Sequence, residues 1–508
     1  MSNQNSDNNK RIAKNTLMLY FRMLIMMGVN LYTSRVALDV LGASDFGLYN
    51  VVGGFVTMFT LISGAMTTAS QRFLSFEIGK GNRGDVQSLF STAVLIHVYL
   101  ALIIFVVGES FGVWFVNTQM NFQEGRYIAA NWVFQFSLIT LIVNVLSVPY
   151  NAALVAYERM SAFAYISILE ALLKLAIIFL LVVSPFDKLI LYAALLALIA
   201  ITIRIIYSVY CHRNFKDCSC NWKCDKEQRA KILSFVSWNL IGSFAVVMKE
   251  QGINILLNIF FGTTVNAAKG IVSQVNTAMH GFVSNFQLAM NPQIVKSYAS
   301  QDFENMYKIV FRGSKFSFFL IYALSLPVIL EAPYILSIWL KIVPEHTVTF
   351  LRIILMTAMI TSLSGTLITS MHASGKVRDY QITVGGLSLL ALPISYLLLK
   401  LGFPAKFALI VIFMVEATCH FVRLYMLKKS ICFPMIKFVR MVTLRCLFVV
   451  AVSIILPVFV CSKLDFNFIS FLIASTVSLL SVLTCEYFIG LDKNEKNIVK
   501  NKIIKRFK

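Results

Sequence analysis

A chain of 508 residues that is 58% hydrophobic and 14% charged, with a mean hydropathy of +0.75, lies outside the composition of soluble globular proteins and reads as an all-α polytopic membrane protein. The net charge of +21 does not point to nucleic acid, because the cations sit mainly in short loops and at the C-terminus, where membrane orientation accounts for them. Nor do the nine cysteines form a secreted disulfide framework, since Cys419, Cys446, Cys461 and Cys485 lie in or beside apolar runs.

The first apolar run begins near Ile12, carries Arg22 and continues past Val29 without a small-residue cleavage site, so it reads as a retained helix rather than a signal peptide. Apolar runs long enough to span a bilayer then recur, about fourteen in all. They fall near 12–37, 46–71, 87–116, 127–150, 160–184, 188–211, 232–260, 265–291, 308–332, 347–371, 377–400, 405–428, 438–461 and 467–490. Alternate loops differ in Lys and Arg. With the N-terminus cytoplasmic, about 30 of the 45 cations collect inside, including the 212–231 loop, Lys428, Lys429 and the Lys493–Lys508 tail, and about eight lie outside. Both ends are therefore expected in the cytoplasm.

Cys211, Cys218, Cys220 and Cys224 cluster with His212, but without two paired C-x-x-C knuckles. The pattern fits a reduced structural loop better than a zinc site, and no metal is expected.

Internal repetition divides the chain. Adding 220 to positions of the second span places Thr57 on Thr277, Thr60 on His280, Gly64 on Ser284, Thr67 on Gln287 and Gln71 on Asn291. A shift of 217 places Leu146-Ser147 on Leu363-Ser364. Two six-helix bundles are expected, 1–215 and 232–430, joined by a cytoplasmic linker at 216–231 and followed by helices 13 and 14 (431–490) and a basic tail (491–508). An even number of spans per bundle makes this a parallel repeat about an axis along the membrane normal.

The eighth span carries a polar stripe. Asn266, Lys269, Ser273, Asn276, His280, Ser284, Gln287 and Asn291 recur every three or four residues on one helical face. Such a face needs a protein interior or a wet cavity. The seventh span adds Asn239, Ser243, Lys249, Glu250, Asn254 and Asn258, and the first two spans add Arg22, Thr57, Thr60 and Gln71. Small and hydroxyl residues also simply pack helices together, which remains an alternative for the second span. Arg22, Lys249 and Lys269 would bias a cavity toward an anionic head group such as a diphosphate. Thr57, Thr60, Gln71, Asn254, Ser273, Asn276, Ser284, Gln287 and Asn291 would meet sugar hydroxyls. Glu250 and His280 are candidates for ion coupling, although a lone intramembrane His is more often structural.

Other intramembrane charges have blander readings. Glu170 and Lys174, spaced i, i+4 with the acid first, form a side-chain pair. Glu416 lacks an obvious partner, and Arg204, Arg423 and Arg445 read as snorkelling anchors. No glycine-rich nucleotide loop, H-E-x-x-H or G-x-S-x-G occurs, and the outer loops are short, so no catalytic residue and no cofactor is expected.

The opening Lys10-Arg11-Ile12-Ala13-Lys14-Asn15-Thr16, the outer turn Leu41-Gly42-Ala43-Ser44-Asp45-Phe46-Gly47-Leu48-Tyr49-Asn50 and the Gly79-Lys80-Gly81-Asn82 loop resemble bacterial polysaccharide repeat-unit flippases. These O-antigen or capsule translocases form a branch of the multidrug, oligosaccharidyl-lipid and polysaccharide (MOP) exporter superfamily. The resemblance implies a MATE-like V-shaped pair of bundles in the inner membrane, with spans one, two, seven and eight lining a cationic cavity. It implies as substrate an oligosaccharide on undecaprenyl diphosphate, moved from the cytoplasmic to the periplasmic leaflet by alternating access. Membrane lipids, a polysaccharide polymerase and chain-length proteins are the implied partners. Two other readings stay open within the superfamily. A peptidoglycan-precursor flippase would carry more arginines than Arg22 and Arg35 in its first two spans, and a drug exporter would typically have twelve spans. An enzyme of lipid-linked glycan assembly would need a larger outer domain.

Overall fold

The computed structural model describes residues 14–29, positions 32, 33, 36, 40, 41, 45, 48 and 49, and residues 60–81, 83–118, 125–219, 221, 225–261, 263–340, 343–463, 467–493 and 495–497. Among them there is no strand. Eleven helices are long and apolar enough to cross a membrane. In chain order they are α3 (Asp85–Thr118), α4 (Tyr127–Ala156), α5 (Met160–Val183), α6 (Lys188–Asn214), α7 (Lys226–Phe261), α9 (Phe303–Leu330), α10 (Thr347–Ser374), α11 (Val377–Lys400), α12 (Lys406–Ile431), α13 (Met435–Cys461) and α14 (Phe468–Gly490). This is a multi-pass membrane protein. Helices α1 (14–29) and α8 (Thr263–Ala299) overlap the first and eighth expected spans, whereas α2 (Thr60–Lys80) overlaps only the end of the second, expected at 46–71, and runs nine residues past it. With 37 residues α8 has ample length, and it is the polar stripe that keeps it below the apolarity of a lipid-facing span.

The chain divides into two compact units, Met1–Leu240 with Val295–Gln301, and Ile241–Ile294 with Asp302–Lys508. The division therefore crosses α7 after Leu240 and α8 after Ile294, two positions beyond Pro292.

In the first unit α4 packs against α2, α3 and α6, and α6 against α5. In lipid there is little hydrophobic drive between apolar helices, so close approach and polar contacts decide the arrangement. Gly79 shows the first of these. A Cβ there would lie 2.7 Å from Lys296 Cα and 2.8 Å from its carbonyl oxygen, so only glycine lets the end of α8 seat on α2. The seat is fastened by Lys296 Nζ on Glu158 Oε1 at 2.7 Å, with Phe76 against Tyr298. At the opposite end Arg126 bridges Asp187, at 2.5 Å, and Asp45. Asp187 also caps α6 by accepting from the N–H groups of Leu189 and Ile190. Partial burial opposes ionisation of this carboxyl, but the Ile190 N–H, Arg126 and the Leu189 N–H outweigh it and hold Asp187 below its ordinary value.

The 212–231 segment is tied to α3 and α4. Gln87 donates to Ser219 Oγ, Ser91 Oγ accepts from the Asn221 N–H, and the Tyr157 hydroxyl donates to Asp217. Cys211 and Cys218 are buried free thiols, and burial pushes the Cys218 thiol up. Cys220 and Cys224 lie outside the described residues, among which no group of three His, Cys, Asp or Glu is placed to hold a metal.

In the second unit α12 packs against α10 and α11, α9 against α10 and α14, and α13 against α14. The residues after α14 return to α9, where Glu495 takes Lys315 Nζ at 2.5 Å with Arg312 Nε at 3.7 Å.

Candidate functional site

The polar stripe of α8 does not share one environment. Gly270, Ser273, Gln274, Thr277, Ala278 and Ser284 are exposed, at spacings of three, four and seven that put them on one face. Gln287 and Asn291 turn into the second unit instead. The Gln287 amide donates to Ser317 Oγ and to the Ser362 carbonyl, both at 3.1 Å, and Asn291 Oδ1 accepts from the Thr369 hydroxyl at 2.9 Å. Gly365 makes the Gln287 contact possible, because a Cβ there would collide with the amide. Asn276 and His280 are half-buried between these environments, and Asn276 Oδ1 is a buried acceptor without a hydrogen-bond partner.

The two candidate cations of α7 and α8, Lys249 and Lys269, are buried. Lys269 is 2% exposed, and its ammonium donates to the Glu250 carbonyl at 3.2 Å and lies 3.6 Å from the Glu250 carboxylate. Because the Glu250 side chain is 48% exposed, the acid and not the lysine fronts the accessible side. Lys249 is 4% exposed and meets Glu416 of α12 at 2.6 Å. Asn254, half-buried on α7, donates to Gln251.

Glu416 is the centre of a wider network. Arg423 Nη2 lies 3.6 Å from its second oxygen, Arg423 Nε donates to the Tyr380 hydroxyl, Arg423 Nη1 donates to Ser364 Oγ, and Ser364 Oγ lies 3.0 Å from His420 Nδ1. Arg423 is therefore a buried ion-pair member and not a snorkelling anchor. Sequence reasoning left Glu416 without a partner. The available signal was electrostatic, an isolated acid in one span and an isolated cation in another, each costly alone. With several such charges in the chain, that signal does not say which pairs form. The i, i+4 pair did form as expected, with Lys174 Nζ 2.6 Å from Glu170. Arg204 stacks over the Tyr150 ring at 3.9 Å.

In the first unit Arg22 is half-buried, its guanidinium over the Phe163 ring at 4.5 Å and its Nε buried without a hydrogen-bond partner. Gln71 is half-buried on α2. Thr57 lies outside the described residues, as do the side chains of Thr60, Asn258 and Asn266.

Chemically, α8 presents an exposed face of hydroxyls, an amide and small residues. Hydrocarbon offers these groups no partner beyond their own helix, so the face suits water or a hydroxylated ligand. Its hydroxyls bond locally, Thr277 to the Ser273 carbonyl and Ser284 to the Gly281 carbonyl, and are free to exchange those bonds. Behind it, Lys249, Lys269 and Arg423 face two carboxylates, Glu250 and Glu416, which leaves an excess of positive charge.

The family of proteins described as "Polysaccharide biosynthesis protein" matches this sequence over residues 11–298, more than half of the chain. The chain belongs to this family. No curated protein matches it. Its fold is that of the MATE transporters. A point mutant of the Vibrio cholerae MATE transporter VcmN superposes with a TM-score of 0.72 at 15% identity, over 84% of this chain and 97% of that one. VcmN in its bent form gives 0.70 at 16% identity, over 85% and 98%. An outward-facing multidrug resistance MATE family transporter of the MOP superfamily gives 0.71 at 11% identity, over 82% and 94%. The all-α polytopic architecture and the polysaccharide family expected from the outer-turn and loop motifs both stand.

Proposed function

We propose that this protein is a transporter that moves oligosaccharide repeat units on undecaprenyl diphosphate from the cytoplasmic to the periplasmic leaflet of the inner membrane, by alternating access. The observation that carries the reading is the exposed polar face of α8, Ser273 to Ser284, on an exporter fold in a polysaccharide biosynthesis family. Sugar hydroxyls would exchange with the local hydrogen bonds of Thr277 and Ser284 and meet the Ser273 hydroxyl, with Asn276 and Asn254 beside them. The diphosphate would draw Lys269 from Glu250, with Lys249 of the same unit as a second cation. Gln287 and Asn291 would hold α8 in place. No catalytic residue and no cofactor enters this scheme. Both termini would face the cytoplasm, following the distribution of Lys and Arg. The delivered repeat unit would be the substrate of a polymerase and its chain-length proteins.

The test is a pair of variants, Lys269→Met and Ser273→Leu/Thr277→Leu, followed for lipid-linked glycan in the outer leaflet and for surface polysaccharide at matched protein level. The expected result is accumulation of lipid-linked glycan on the cytoplasmic side. Normal surface polysaccharide in both variants would overturn the site.

One observation favours a second reading. Glu250 is the charged group that fronts the accessible side, which suits a cationic substrate. Export of cationic drugs would then be the activity, and a deletion strain would become dye-sensitive with its surface polysaccharide intact.

A further inference from the structure

The outer side of α12 and the turn that follows it carry two connected grooves that the transport scheme does not use. One, of about 550 Å³, runs along α12 past Met414, Phe421 and Tyr425 to Met435. The other, of about 680 Å³, continues from Met435 across the turn and is edged by Lys428, Lys437 and Arg440. All three cations are exposed, and none forms an ion pair among the described residues. Glu304, whose charge Lys437 also feels, is engaged by Lys308 at 2.6 Å. A π-helical turn at Val439–Thr443 follows the first turn of α13, Met435–Phe438. It holds Arg440, three positions after Lys437, on the same groove.

We propose that this double groove is a binding site for one anionic glycerophospholipid of the bilayer, its phosphate against Lys437, Arg440 and Lys428 and an acyl chain along α12. Charge selects the head group, since three unpaired cations close one end of an otherwise apolar channel. Length selects the tail. From Met414 to Tyr425 the helix rises ~16 Å, which matches the ~15 Å depth of one leaflet, half of a ~30 Å hydrocarbon core. A polyprenyl carrier is much longer than that groove. Tyr425, 62% exposed, stands where its phenol would reach the head-group level. The site lies wholly within the second unit and does not depend on the transported substrate.

The experiment uses the full-length protein in nanodiscs of phosphatidylcholine, titrated with phosphatidylglycerol or with phosphatidylethanolamine and followed by native mass spectrometry. One phosphatidylglycerol should be retained in preference to phosphatidylethanolamine. The Lys437→Gln/Arg440→Gln variant should bind it about 30-fold more weakly, from two head-group cations near the membrane surface. A Phe421→Trp variant, which leaves the cations in place, should be quenched by phosphatidylglycerol brominated on its acyl chains and not by brominated phosphatidylcholine. Equal retention of both phospholipids, or unchanged affinity in the double variant, would each overturn the assignment.

Discussion

Replacing Glu416 by Gln removes a carboxylate that holds two buried cations, Lys249 at 2.6 Å and Arg423 at 3.6 Å. At an effective dielectric constant of ~20 these separations correspond to roughly 6 and 5 kcal/mol of attraction. Desolvation opposes them by several kcal/mol per ion, so the assembled network adds little net stability. Breaking it from one side is different, because the remaining charge is left buried, at about 3–5 kcal/mol. The geometry makes the two sides unequal. Glu416→Gln leaves Lys249 and Arg423 facing each other without their counter-ion, whereas Lys249→Met leaves Glu416 with Arg423. Glu416→Gln should therefore destabilise by about 4–5 kcal/mol and Lys249→Met by about 1–2 kcal/mol less. The double variant should recover roughly 2 kcal/mol relative to the sum of the singles. Denaturant unfolding of the purified protein in bicelles, read by the fluorescence of its tryptophans, measures all three. Additive single effects, or a Lys249→Met variant less stable than Glu416→Gln, would refute the reasoning.

Gly79→Ala places a methyl group 2.7 Å from Lys296 Cα, against backbone that cannot yield as a side chain would. It should cost about 1–3 kcal/mol of stability, seen as a lower thermal midpoint in detergent, and an unchanged midpoint would show that the end of α8 is not seated on α2. Asp187→Asn keeps an N-cap oxygen and removes only the charge facing Arg126. The folded protein holds Asp187 below its ordinary value, so the charge contributes fully above the unfolded pKa of about 3.9 and is lost as pH falls through the lower folded value. Wild type should therefore exceed the variant by no more than about 1 kcal/mol at pH 7, and the two should converge below pH 4. A difference that does not narrow as the pH falls below 4 would exclude the ion pair as its source.

The class of this protein was legible from residues close together in the chain. Hydropathy over windows of about 20 residues marks membrane spans, because each span must satisfy its own backbone within the bilayer. The Glu170–Lys174 pair was legible for the same reason, since both partners ride on one helix face. The stripe on α8 was visible as a 3.6-residue period, but the period reports only that the residues share a face. It does not say that Gln287 and Asn291 bond inside the second unit while Ser273, Thr277 and Ser284 remain exposed.

What the tertiary structure alone decided are the partnerships made across long stretches of chain. Lys249 and Glu416 are 167 positions apart, and Arg126 reaches both Asp45 and Asp187. Nothing local singles out these partners, because an intramembrane charge requires some counter-charge and any helix brought alongside can supply it. The sequence by itself determined that this is an all-helical membrane protein with polar groups in two adjacent spans. Only packing decided that Lys249 and Lys269 lie buried with their counter-ions while hydroxyls and Glu250 face outward, since burial belongs to neighbours that the order of residues does not name.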